Sequence, residues 1–306
     1  MSCNAPRFRL PAGQRRKPAW PSWVTEGVLP SASLLFLLAG ALSAGAHGEV
    51  HLRLLALTRE IQAATNNPAR IYLARGELER EHGLQSEAAS DFEQAAKLDP
   101  TLPGIDLCRG RLMADRGQLE AARGIFDRAL ERNAHDGECY IGRGRVLLKL
   151  NQRDAAAADY WRGLAELREP KPEYVLELAQ VLKDEGKTDD ALRALDAGIA
   201  KLGPILPLQG YALDLELGRK NGEAALVRLE TILARAMRKE TWFARRGDIQ
   251  FETGKVIEAR GSYEAALASV NKLPPRLQQS PAVVKLLEHI NARLAGLANG
   301  PAAARK

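Results

Sequence analysis

The side chains with the clearest chemical capacity in this sequence are cations at regular spacing. Arg111 and Arg145 lie 34 residues apart, and with Arg80 and Lys149 they project as one basic strip if the chain between them is helical. A guanidinium offers a planar fork of donors that a carboxylate accepts in pairs, so such a strip suits acidic side chains or a chain carboxylate. The same projection adds Gln180, Tyr211 and Arg245 to the partner-binding candidates, alongside Arg70, Glu77, Asp115, Glu173, Lys183, Asp214, Asp248 and Phe251. A competing interpretation is an ordinary solvated face on which the arginines pair with Glu77 and Asp115. A second chemistry is metal binding. If the chain were cut after Ala46, His47 would bring an α-amine and an imidazole together, with His51 one helical turn on, a set able to chelate copper or zinc. No cysteine or carboxylate cluster of metal-ligand spacing supports it, so surface histidines are the alternative.

Motifs for catalysis are missing from the sequence. It contains no H-E-x-x-H, no Gly-rich phosphate loop closed by Lys and Ser/Thr, and no nucleophile elbow. The 5 histidines are dispersed. A non-catalytic protein without a cofactor is therefore expected, leaving binding as the function class.

The elements that must position these side chains announce themselves by repetition. Gly76, Gly110 and Gly144 are 34 residues apart, as are Ala88, Ala122 and Ala156; Phe92, Phe126 and Tyr160 keep the interval, and so do Ala95, Ala129 and Gly163. That period accommodates two short helices and two tight turns, a unit whose buried face is completed only by its neighbour. Tyr72, Gly76, Leu78, Ala88, Phe92, Ala95 and Pro100 resemble the tetratricopeptide repeat signature. Repeat two has Asp106 in place of the first aromatic and Ala134 in place of the proline, and repeat three restores the aromatic with Tyr140. After one inserted residue near Lys171, repeat four substitutes Leu195 for the ring, repeat five is eroded to Leu213, Ala225 and Leu229, and repeat six returns with Phe243, Gly247, Ala259, Tyr263 and Ala266. The resemblance implies an all-α superhelix, or solenoid, of about six helix-turn-helix repeats with a capping helix at each end. It also implies a concave face, lined by the first helix of each pair, that binds a protein or peptide. Relatives that capture acidic C-termini use a Lys, Asn and Arg set in that groove; Leu73 and Glu77 stand where it would begin, so that docking activity is not carried over. Trp161 and Trp242 read as packing between repeats, and Cys108 and Cys139 as small buried side chains, a disulfide being the alternative.

The expected organisation is a signal segment over 1–46, a capping helix over 47–68, repeats over 69–273, a C-terminal capping helix over 274–298 and a disordered tail over 299–306. A basic start, the apolar centre Leu34-Leu35-Phe36-Leu37-Leu38 and the small residues Ala44-Gly45-Ala46 are the three parts of an export signal. The predicted location is thus periplasmic or extracellular, with a retained membrane anchor as the alternative. Arg7, Arg9, Arg15, Arg16 and Lys17 against Glu26 give this segment +4 of the total +6, leaving +2 on the remainder. Such balance argues against a nucleic-acid partner.

Overall fold

The computed structural model describes residues 32–298, with side chains from residue 48 onward. Of the predicted signal segment over 1–46, residues 1–31 and the side chains of the remainder lie outside the described residues, as do the His47 side chain and the tail from residue 299. The chain divides into two compact units, Met1–Ala63 and Ala64–Lys306. In the first, helix α1 runs Ala32–Ala63. It begins earlier than the expected start near Glu49, because the residues after Pro30 are mostly helix formers and the next proline is Pro68. Among the described residues no helix is long and apolar enough to cross a membrane.

The second unit is a run of helix pairs. In order they are α2 Ala69–Glu81 with α3 Gln85–Leu98, α4 Ile105–Asp115 with α5 Leu119–Arg132, and α6 Gly137–Lys149 with α7 Arg153–Glu166. Then come α8 Pro172–Asp184 with α9 Thr188–Leu202, α10 Leu206–Gly218 with α11 Gly222–Arg235, and α12 Glu240–Glu252 with α13 Val256–Asn271. A four-residue turn of helix, α14 Pro275–Gln278, precedes α15 Pro281–Ala298. Each second helix packs on its own first helix and on the first helix of the next pair. First helices also approach first helices, α2 with α4, α4 with α6 and α8 with α10, whereas second helices make no comparable approach among the described residues. A stack so arranged curves into a superhelix with the first helices on the inside.

The period has a steric origin. A Cβ placed on Gly76 would stand 2.7 Å from the ring of Phe92, on Gly110 2.5 Å from that of Phe126, and on Gly247 2.6 Å from that of Tyr263. Each ring thus fills the space its glycine vacates, and the two residues are specified together. Where repeats four and five use Leu195 and Leu229, the glycine position becomes Ala179 and Leu213, so the shorter second-helix residue faces a larger first-helix one. Every pair is also closed by one left-handed residue in its internal turn: Gly83, Gly117, Gly186 and Gly254 in four repeats, Asn151 and Lys220 at φ 60° in the others. Lys220 pays a backbone strain there that glycine avoids.

The C-terminal helix α15 packs on α13 and α12, with Ile290 and Leu297 buried against Ala244, Ala259 and Tyr263. Trp161 and Trp242 are half-buried between repeats. Cys108 and Cys139 are buried free thiols, and burial pushes both up to about 12.

Candidate functional site

Two adjoining cavities lie along the first helices. The larger set of side chains, from α2, α4, α6 and α8 with additions from α5 and α7, lines a cleft of about 570 Å³ that includes Arg80, Arg111, Arg145 and Lys149. The structure thus brings the four predicted cations into one groove. It also sets a carboxylate against each arginine, Glu77 and Asp115 as the competing interpretation had them, with Glu138 and Glu177 in addition. Arg80 pairs with Glu77 at 2.8 Å and with Asp115. Arg111 bridges Glu77 at 3.1 Å and Glu138 at 2.7 Å. Arg145 grips Glu177 through two nitrogens, at 2.9 and 2.7 Å. Two tyrosines join the chain of contacts: the Tyr174 hydroxyl donates to Glu138 at 2.9 Å, and that of Tyr160 to Glu177 at 2.6 Å. Arg145 also stacks over the Tyr174 ring, 5.1 Å from its centroid.

The result is a continuous ladder of alternating charge across four first helices. Burial opposes ionisation of Glu77, yet the bonds and charges of Arg80 and Arg111 prevail and hold its carboxyl below the usual range. The bidentate bond to Glu177 raises the Arg145 guanidinium despite burial. Burial, reinforced by the acceptor Glu138, pushes the Tyr174 hydroxyl up to about 12. These shifts leave Glu77 and Arg145 charged and Tyr174 neutral near pH 7. The charges of the ladder are spent on one another, so three of the four strip cations are occupied. Lys149 is exposed, and no carboxylate among the described residues pairs with it.

The remaining candidates separate. Gln180 and Tyr211 meet beside the cleft, where the Tyr211 hydroxyl donates to Gln180 at 2.8 Å. Arg245 sits on α12 and pairs with Asp214 of α10, outside both cavities. Asp248 faces α15, taking contacts from His289 at 3.0 Å, Arg293 at 3.1 Å and the Tyr263 hydroxyl at 2.8 Å. His51 is exposed on α1, and no group of three or more metal-ligating side chains converges among the described residues.

A second periodic device escaped the sequence reading. Arg75 binds Asp91 through two nitrogens at 2.7 Å and lies over the Tyr72 ring. Two repeats on, Arg143 binds Asp159 at 2.7 and 2.8 Å and lies over Tyr140, and in repeat six Arg246 binds Ser262 at 2.9 Å and lies over Phe243. In all three the aromatic of the first helix lies under an arginine one turn later, which neutralises a buried acid on the second helix in repeats one and three and bonds a buried serine in repeat six. The signal was present: Tyr72, Arg75 and Asp91 recur at Tyr140, Arg143 and Asp159.

Comparison with known proteins gives a family match over one stretch of this stack. Residues 109–172 match the tetratricopeptide repeat family model, a stretch running from α4 to the start of α8. No curated protein matches the sequence significantly. Similar solved structures include a tetratricopeptide repeat protein from Parabacteroides merdae, 18% identical with a TM-score of 0.43, over 83% of this chain and 97% of that one. MamA protein is 18% identical with a TM-score of 0.45, over 56% and 94%. YrrB, a tetratricopeptide repeat protein with an unusual peptide-binding site, is 15% identical with a TM-score of 0.44, over 59% and 93%. The helix pairs from α2 to α13 form a tetratricopeptide-like stack of helical repeats, of which residues 109–172 match the family model. Proteins of that type typically mediate protein–protein interactions and are usually non-catalytic.

Proposed function

We propose that this protein is a non-catalytic scaffold that holds an extended segment of a partner protein in the groove formed by its first helices, outside the cytoplasm. One observation carries the binding part of this reading. The first helices present polar, ring-supported side chains to a continuous open cleft, and the buried rings of Phe126 and Tyr160 close its floor without filling it. A surface kept rigid by packing and lined by ordered polar groups loses little entropy when a peptide settles on it. The extracytoplasmic part rests on the basic, apolar and small-residue order of the first 46 residues.

Each part has its own test. Lys149→Glu with Gln180→Arg changes two exposed side chains that pack on no core; it should lower partner capture from an exported fraction at least tenfold with helicity unchanged, and undiminished capture refutes the groove as the site. Mass measurement of the exported chain should give a mature N-terminus at His47, and a full-length mass in that fraction refutes cleavage.

A further inference from the structure

Next to the charged cleft lies a pocket of different character. Leu148 at the end of α6, Leu176 and Val181 on α8 and Tyr211 on α10 line a cavity of about 600 Å³, together with Arg153, Glu177, Gln180 and Asp184. The apolar members are buried or half-buried while Arg153, Gln180 and Asp184 are exposed, so the floor is aliphatic and the rim polar. Leu148 and Glu177 line both cavities, which makes the pocket an extension of the groove.

The rim is satisfied on one side only. Tyr211 donates to Gln180 at 2.8 Å, and the Gln180 amide donates to Asp184 at 2.6 Å. On the α6–α7 side, Lys149 and Arg153 are exposed, and neither has a carboxylate partner among the described residues. This reverses the expectation drawn from spacing. A ligand carboxylate reaching Arg80, Arg111 or Arg145 must displace one already bound, and gains little by the exchange. A carboxylate reaching Lys149 and Arg153 displaces only water, and the neighbouring pocket removes an apolar side chain from solvent at the same time.

Resting on the groove reading above, we propose that the partner contributes an extended segment in which an aliphatic side chain fills the Leu148, Leu176 and Val181 pocket and an adjacent acidic side chain pairs with Lys149 and Arg153. The aliphatic anchor supplies affinity, and the acid sets orientation and makes binding fall with salt.

The test is selection from a random heptapeptide phage library on the immobilised full chain, followed by fluorescence polarisation of the enriched peptides. Enriched sequences should place Leu, Ile, Val or Met within about two residues of Asp or Glu. Replacing the aliphatic residue by Ser should weaken binding roughly 10- to 100-fold. The surface variant Lys149→Glu with Arg153→Glu should weaken binding of those peptides about tenfold and enrich Lys or Arg in place of the acid. Enrichment of sequences lacking the aliphatic–acidic pair, on binding that Gln180→Arg still abolishes, overturns this inference and leaves the groove reading intact. Enrichment no greater than on blank support, or binding indifferent to Gln180→Arg, overturns both.

Discussion

The most quantitative prediction concerns Glu79, a carboxyl that the fold holds in an unfavourable place. Its side chain is 10% exposed, it lies 3.8 Å from Arg75, and Oε2 has no hydrogen-bond partner. Asp91 has taken the Arg75 fork at 2.7 Å. Burial first, and then the negative charge of Asp91, push Glu79 up to about 7 from 4.5, with Arg75 opposing. Because the folded value is raised, the group's contribution is fully present below the unfolded value. It is lost as pH climbs from 4.5 through about 7, at up to about 1.4 kcal/mol per unit. The whole displacement corresponds to roughly 3 kcal/mol at most, and residual contact with water and the nearby guanidinium reduce the expected effect to about 2 kcal/mol. Glu79→Gln removes the charge and nearly preserves the shape. The variant should match the wild type near pH 4 and exceed it by about 2 kcal/mol near pH 9. Urea unfolding of both proteins at the two pH values measures this, since the difference cancels every other titrating group. A stability difference independent of pH, or one that favours the wild type at high pH, refutes the assignment.

Three further outcomes follow from the packing. Gly110→Ala forces a Cβ against the Phe126 ring and should cost about 1–3 kcal/mol in urea unfolding, with Phe126→Leu in the same chain recovering part of it, as the Ala179 and Leu195 pair already does in repeat four. Arg143→Ala strips the buried Asp159 of its fork and should cost about 3 kcal/mol, more than Arg143→Ala with Asp159→Ala together. Lys220→Gly relieves the left-handed residue in the turn of repeat five and should raise stability by about 0.5–1 kcal/mol, with a correspondingly higher midpoint temperature.

The fold was legible because its determinants recur at one interval. Gly76 with Phe92 and Gly247 with Tyr263 are steric pairs inside a single repeat, so spacing alone reveals them. The eroded repeat five keeps the phase of its neighbours, with α10 beginning at Leu206 between Pro204 and Pro207. The groove was legible in position and only in part in its electrostatics. Glu77 and Arg111 are 34 residues apart, Arg111 and Glu138 27, and Arg145 and Glu177 32. No single interval predicts such partners, because they depend on how far each repeat rotates against the last. The competing interpretation of a paired face named Glu77 and Asp115, which do pair with Arg80 and Arg111, and missed Glu138 and Glu177. The aliphatic pocket was hidden for a related reason. Leu148, Leu176 and Val181 look like core residues one at a time, and only the stacking of α6, α8 and α10 leaves a gap between them.

The central claim is that partners lie along the first helices. Site-specific photocrosslinking tests it most directly, with a benzophenone amino acid placed at Gln180 in the groove or at Val227, exposed at 69% on the second helix α11. Illumination in the exported fraction should attach a discrete partner band through position 180 and none through position 227. Crosslinking of the same partner through position 227, with position 180 silent, contradicts the account.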